Sequence, residues 1–129
     1  MNENVISGQV IDAAIEVHRE LDGPGLLENV YEQALAYELG LRNVLVTRQI
    51  SVPVLYKGLE IAKPLVLDLL VAKKVIVEVK AVEKLNPAFC AQLLTYLRLT
   101  GKKLGLIINF GNKFVKDGVH RVVNGLPDQ

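Results

Sequence analysis

Two apolar runs, Leu65–Val71 and Val75–Lys80, stand only three residues apart in a chain of 129. Nearly every position in them is Val, Leu or Ile, so neither shows the polar alternation of a half-exposed strand. A strand that is apolar on both sides has to be covered on both faces. These two are therefore predicted as central strands of a sheet enclosed between layers. Helices are the available cover. Ile6, Val10, Ala13, Val17 and Leu21 recur at spacings of three and four, one face of an amphipathic helix that Gly23-Pro24-Gly25 ends. A second helix is predicted over Leu26–Leu39, stopped by Gly40. A third runs over Ala88–Leu99, with Asn86 as N-cap, Pro87 at its opening and Gly101 at its end.

The remaining segments supply the rest of a sheet. Val44-Leu45-Val46 and Ser51-Val52-Pro53-Val54-Leu55 are rich in branched residues, and Pro53 marks the second as an edge or bulged strand. Tyr56-Lys57-Gly58-Leu59 reads as a turn. Leu104–Asn109 is a short buried strand, and the segment from Lys113 to Val123 fits either a last strand or a helix. Two helices, a meander of strands, a helix and a strand give an α/β or α+β fold, a central mixed β-sheet flanked by helices on both faces. The length suits one domain over residues 1–129.

Half the residues are hydrophobic and the mean hydropathy is +0.29, which excludes a disordered chain. No apolar run reaches the ~18 residues of a spanning helix, and Met-Asn-Glu-Asn carries no basic signal region. A cytoplasmic protein with no membrane partner is expected. Cys90 is the only cysteine, which excludes an intramolecular disulfide and a four-cysteine zinc site; it reads as a small core residue. His18 reads as a surface residue of the first helix and is not assigned to metal. Residues 1–65 hold 5 Lys/Arg against 9 Asp/Glu, and residues 66–129 hold 10 against 5. A basic second half fits either an anionic partner or an unevenly solvated surface. High hydropathy in so short a chain also makes a homo-oligomer a candidate.

The chemistry sits in the two central strands. If Ala72-Lys73-Lys74 is a three-residue hairpin loop, Val71 pairs with Val75 and Asp68 lies opposite Glu78, with Cβ atoms ~5 Å apart. Lys80, two residues on, shares that face. Like charges directly opposite one another destabilise a sheet, and burying unpaired carboxylates costs several kcal/mol more. One solution is a hard divalent cation, Mg2+ (or Mn2+), bound by carboxylate oxygens. Lys80 then assists a nucleophilic water or a phosphate oxygen. The other is a cross-strand salt bridge from Lys80 to Asp68 or Glu78, with the second carboxylate at the rim.

Asp68 followed by Glu78-Val79-Lys80 resembles the core of the PD-(D/E)XK nuclease superfamily. Gly25-Leu26-Leu27-Glu28-Asn29-Val30-Tyr31 matches the G-x-x-E-x-x-Y signature of the GxxExxY protein family within it. Gln92-Leu93-Leu94-Thr95-Tyr96 is similar to the Q-x-x-x-Y helix of its exonuclease-like branch, and Asn109-Phe110-Gly111 also looks like the GxxExxY family. The resemblance runs from about Ile6 to Asn124. It implies a restriction-endonuclease-like core. Asp68 and Glu78 would be the principal metal ligands, with the Val79 carbonyl and Glu28 as further ligands and Lys80 as the catalytic lysine. Gln92 and Tyr96 would orient the lysine or contact the substrate backbone. Each has a plainer alternative. Glu28 favours a helix N-terminus in any case. Tyr31 is a substrate contact or a core residue, Gln92 a hydrogen-bonded amide, and Tyr96 a core residue with its hydroxyl at the edge. Lys73, Lys74, Lys84, Lys102 and Lys103 are candidates for phosphate contacts. The expected function is a Mg2+-dependent nuclease acting on nucleic acid. The alternative is a non-catalytic binding or oligomerisation module on the same fold.

Overall fold

The computed structural model describes residues 1–127. Helix α1 (Glu3–Glu20) starts on Asn2, whose side chain accepts the Val5 N–H and so satisfies one of the first turn's free donors. Its predicted face is buried, with Ile6, Val10 and Ala13 fully so. Helix α2 (Glu28–Leu41) begins two residues later than predicted and runs past Gly40. Leu27 is extended and offers no side-chain cap, and the chain leaves the helix at Arg42 and at Asn43, where φ is +61°.

The end of the first branched segment and the start of the second lie in one strand, β1 (Val46–Val52), which pairs antiparallel with β4 (Leu65–Val71) except at Gln49; Val44 and Leu45 precede it. Pro53 has no N–H for the ladder, and the strand ends before it. The predicted turn is the tip of a small hairpin, β2 (Leu55–Tyr56) and β3 (Leu59–Glu60), with positive φ at Lys57 and Gly58. Strand β5 (Val75–Lys80) lies at the centre of the main sheet. Helix α3 (Ala88–Thr100) crosses over to β6 (Leu104–Asn109), which pairs with β5 in parallel. The last segment divides into a 3-10 turn (Val115–Gly118) and strand β7 (Val119–Val123), antiparallel to β6. The five-stranded sheet has the order β1-β4-β5-β6-β7. Helices α1 and α2 cover one face, around Leu69, Val77, Leu106 and Ile108. Helix α3 covers the other, around Leu67, Ile76 and Ile107. Gly105 lets α3 lie close, since a Cβ there would meet the Leu93 side chain at 2.8 Å.

Two sequence expectations are corrected on the α1–α2 side. His18 is not a surface residue. It is 6% exposed, and its Nε2 lies 3.2 Å from the Phe110 carbonyl oxygen. Tyr31 is no substrate contact. Its ring is fully buried and stacks on Phe110 at 4.6 Å between centroids. Its hydroxyl donates to the Gly23 carbonyl at 2.7 Å and accepts the Leu26 N–H at 3.2 Å, pinning the glycine-proline loop to the core. Tyr31→Phe removes both bonds and leaves the Gly23 carbonyl and the Leu26 N–H unpaired by the side chain. The expected loss is about 1–2 kcal/mol in urea unfolding.

Candidate active site

Strands β4 and β5 pair as predicted at the loop: Val71 faces Val75, Leu70 faces Ile76 and Leu69 faces Val77. The loop is closed by the Lys74 N–H on the Val71 carbonyl, with positive φ at Ala72 and Lys73. The ladder does not continue to the pair expected next. From Asp68 and Glu78 onward, side chains take over the backbone's hydrogen bonds. The Asp68 carboxylate accepts the Val79 N–H at 2.8 Å, and the Glu78 carboxylate accepts the Asp68 N–H at 3.4 Å. The two strands thus part where the carboxylates stand, and each carboxylate fills the gap on the other's strand.

The same point is a dislocation in β4. Alternation puts residues 67 and 69 on one face, yet Leu67 packs on the α3 side and Leu69 on the α1–α2 side. In β1, Gln49 stands between Arg48, which faces Leu69, and Ile50, which faces Leu67; its φ is +53°. A non-glycine residue in that conformation costs about 1–2 kcal/mol.

Burial governs the pair's chemistry, and at Glu78 the Asp68 charge adds to it. Glu78 is 8% exposed. Loss of solvent and then the Asp68 charge push its carboxyl up to about 8. Loss of solvent also raises Asp68, and the neighbouring Glu32 adds to that, while the Val79 N–H works against it. Both carboxyls are thus held above their ordinary range, Glu78 the further. The Tyr96 hydroxyl is raised as well, by burial and then by the charges of Glu78 and Asp68, which places this α3 residue beside the pair.

Lys80 does not form the cross-strand salt bridge. Its ammonium lies over the Phe89 ring, 4.2 Å from the centroid, and among the described residues the ion pairs within 4.0 Å involve other side chains. Phe89, Gln92 and Tyr96 follow one another at steps of three and four on α3 and so share a helix face, with Gln92 exposed.

Glu28 is not drawn into the pair. It is exposed at the start of α2, with its carboxylate 3.4 Å from the Ala81 N–H, just beyond Lys80. Among the described residues, no three His, Cys, Asp or Glu side chains are gathered tightly enough to surround a metal ion. Glu32 is the acid the sequence reading missed. It is 5% exposed, it raises Asp68, and it is bound by Arg48 at 2.8 Å and by the Gln49 amide at 2.9 Å. Its only sequence signal is its place one residue after Tyr31. A backbone turned left-handed at Gln49 gives no such signal.

The predicted lysines divide. Lys84 is exposed in the loop after β5, on the Lys80 side. Lys73 and Lys74 lie in the hairpin loop, four or more residues from Asp68, a span of ~13 Å along the strand. Lys74 there donates to the Met1 carbonyl at 2.8 Å. Lys102 and Lys103 precede β6 at that same end, because Leu104 pairs with Val75. None of these four joins the carboxylates. Cys90 is a half-buried free thiol packed against the α3-side cluster.

The segment after Lys80 is held from β6. The Asn109 amide accepts the Val82 N–H at 3.0 Å and donates to the Val82 carbonyl at 3.0 Å; it also accepts the Gly111 N–H and donates to Asn112. The Phe110 N–H donates to the Lys80 carbonyl at 2.8 Å.

A split antiparallel pair with an acid on one strand and Glu-x-Lys on the next, beside a helix carrying Gln-x-x-x-Tyr, agrees with the comparison against protein families. The sequence profile of the PD-(D/E)XK nuclease superfamily matches residues 4–122. The chain belongs to that superfamily. Its mixed sheet between helices is consistent with the restriction-endonuclease-like fold of PD-(D/E)XK proteins. No curated protein and no solved structure matches the chain. PD-(D/E)XK nucleases generally use divalent metal ions. The residues fit such an ion. Asp68 and Glu78 present two oxygen-donor groups at one buried point; burial raises both, the Asp68 charge raises Glu78 further, and the Val79 and Asp68 N–H groups and the Lys80 charge work against these shifts. No helix among the described residues is long and apolar enough to cross a membrane.

Proposed function

We propose that this PD-(D/E)XK protein is a divalent-metal-dependent nuclease of the GxxExxY type, using Mg2+ or Mn2+ to hydrolyse phosphodiester bonds of nucleic acid. The observation that carries the reading is the meeting of Asp68 and Glu78 where the two central strands part. A cation bound there supplies neutralisation of developing phosphate charge and a more acidic water. Asp68 and Glu78 hold it, and the Val79 carbonyl is the adjacent backbone ligand. Glu78 would bind the ion in its ionised form. Lys80 swings from Phe89 toward the carboxylates, where its ammonium orients the attacking water or meets the phosphate. Gln92 contacts the substrate backbone from α3, and the Tyr96 hydroxyl fixes the wall behind the carboxylates. Lys84 contributes a phosphate contact near the site, and such contacts set affinity without reading sequence. Glu28 faces the substrate side as an outer acid.

The test is cleavage of labelled single- and double-stranded DNA and RNA with Mg2+ or Mn2+. Cleavage by the wild type that falls at least ~100-fold in Lys80→Ala supports the reading, since a positioned proton-transfer or charge-stabilising group contributes about that much. Cleavage unchanged in Lys80→Ala counts against it.

One observation favours a second reading, a non-catalytic oligomerisation module. The β2–β3 hairpin exposes Leu55, Tyr56 and Leu59, each by 59% or more. A chain that self-associates in solution but neither cleaves nor binds metal would be that module.

A further inference from the structure

A cleft of about 450 Å³ lies between the end of α1 and the segment after β6, and the metal-site reading does not use it. Its volume is in the range of small-ligand pockets. Ile15 and Val115 give it apolar walls, and the Phe114 ring lines it while staying 56% exposed. An aromatic face left in water beside apolar walls is a surface on which a flat ligand can stack. The charges in the lining are mostly positive, Arg19, Lys113 and Lys116 against Asp22. Arg19 is already held by Glu16 at 2.8 Å. Among the described residues, Lys113 and Lys116 have no carboxylate within 4.0 Å. The Lys113 ammonium lies 5.5 Å from the Phe114 ring centroid, so ring and cation are presented together. The carbonyls that end α1 do not stand open against an anion, because the chain caps them: the Gly23 N–H donates to the His18 carbonyl at 2.8 Å and the Asp22 N–H to the Arg19 carbonyl at 3.2 Å. His18, also in the wall, is bonded to the Phe110 carbonyl, and the Phe110 N–H holds the Lys80 carbonyl. The backbone of one residue thus joins the cleft to the strand end that carries Lys80.

We propose that this cleft binds a nucleoside phosphate, with the base on Phe114 and the phosphate on Lys113 and Lys116. An aliphatic acid would use the lysines and leave the ring uncovered. A neutral aromatic would use the ring and leave two ammonium groups without a counter-charge. A nucleotide uses both, by stacking and by charge-assisted hydrogen bonds. A free mononucleotide and the terminal nucleotide of a strand present the same chemistry here. The choice of a nucleotide over other aromatic anions rests on the nuclease reading; the cleft and its charges do not.

The experiment is calorimetric titration of the full chain in EDTA with AMP, with inorganic phosphate and with a short single-stranded DNA carrying a terminal phosphate. EDTA keeps the test apart from the metal site. The wild type is expected to bind AMP or the strand saturably, and more tightly than inorganic phosphate. Phe114→Ala should weaken that binding about 10-fold or more, the worth of a base stacked on an aromatic ring. Lys113→Gln with Lys116→Gln should weaken it about 10-fold, through loss of hydrogen bonds to a charged group. All three side chains are exposed, so both variants should melt close to the wild type. Tighter binding of the strand than of AMP makes the occupant a strand end, and the reverse makes it a free nucleotide. Equal affinity for inorganic phosphate and AMP overturns the nucleotide assignment. Wild-type affinity in both variants, or no binding by the wild type, overturns the cleft as a site and leaves the Asp68–Glu78 metal site standing. Loss of the metal site instead, seen as no Mn2+ binding by the wild type, leaves binding of AMP in EDTA unchanged.

Discussion

Freed of metal, the protein loses stability as the pH rises from about 5 to about 8, and Glu78→Gln removes that loss. The Glu78 carboxyl titrates ordinarily near 4.5 when the chain is unfolded and is pushed up to about 8 in the fold, by burial and then by the Asp68 charge. Between those values the folded protein binds a proton that the unfolded chain has released. Stability therefore falls with rising pH across that window. The contribution is complete below about 4.5 and gone above about 8. Its size is on the order of a few kcal/mol, a sizeable part of a small domain's stability. Glutamine keeps the shape and loses the titration, so the variant melts higher than the wild type at pH 8 and about equally at pH 5. Divalent metal has the opposite pH preference, because the Glu78 proton must leave before the carboxylate can bind a cation. Mg2+ thus raises the wild-type melting temperature more at pH 8 than at pH 6, and leaves that of Glu78→Gln unchanged. Melts at four pH values, with and without Mg2+, check all of this. A flat wild-type profile would mean that the two carboxylates are not forced together.

Gly111→Ala is expected to be among the most damaging single methyl additions in the chain. A Cβ at residue 111 would stand 2.2 Å from the Val82 carbonyl oxygen and 2.8 Å from the Val82 nitrogen and carbonyl carbon. All three are backbone atoms, so no rotamer relieves the clash. The Asn109 amide ties Val82 by two hydrogen bonds and accepts the Gly111 N–H as well, so Val82 cannot retreat without breaking them. Either the Asn109 clamp breaks or β6 shifts, and we expect a loss of about 3 kcal/mol or more in urea unfolding. The damage is also functional. Val82 lies two residues after Lys80, and the Phe110 N–H binds the Lys80 carbonyl. Releasing that segment frees the backbone that presents Glu78 and Lys80. The proposed nuclease activity is expected to fall even at temperatures where the variant remains folded.

Much of this arrangement could be read from the residues because it depends on local chemistry. The double-sided apolar character of Leu65–Val71 and Val75–Lys80 places them inside the sheet, and the three-residue loop brings Asp68 and Glu78 to the same level. Asn2, Asn86 and Gly101 mark helix ends by their side chains or by the lack of one. What could not be read depends on long-range packing. Pairing with β4 joins the end of one branched segment to the start of the next in β1. Gln49 carries no mark of a left-handed backbone, and Glu32 looks like any helix glutamate until Arg48 and Gln49 close on it. Tyr31 suits a site or a core and His18 a surface position, and only the stacking of Tyr31 on Phe110 and the bond of His18 to the Phe110 carbonyl place both in the core. The cross-strand salt bridge open to Lys80 is not formed; the ammonium rests on Phe89, a cation–π contact that depends on where α3 packs.

The central claim is that Asp68 and Glu78 together form a metal site. Calorimetric titration of the metal-free protein with Mn2+ at pH 8, beside Glu78→Gln, tests it most directly. The account predicts saturable binding by the wild type and none by the variant. Equal binding by both proteins, or none by the wild type, would contradict it.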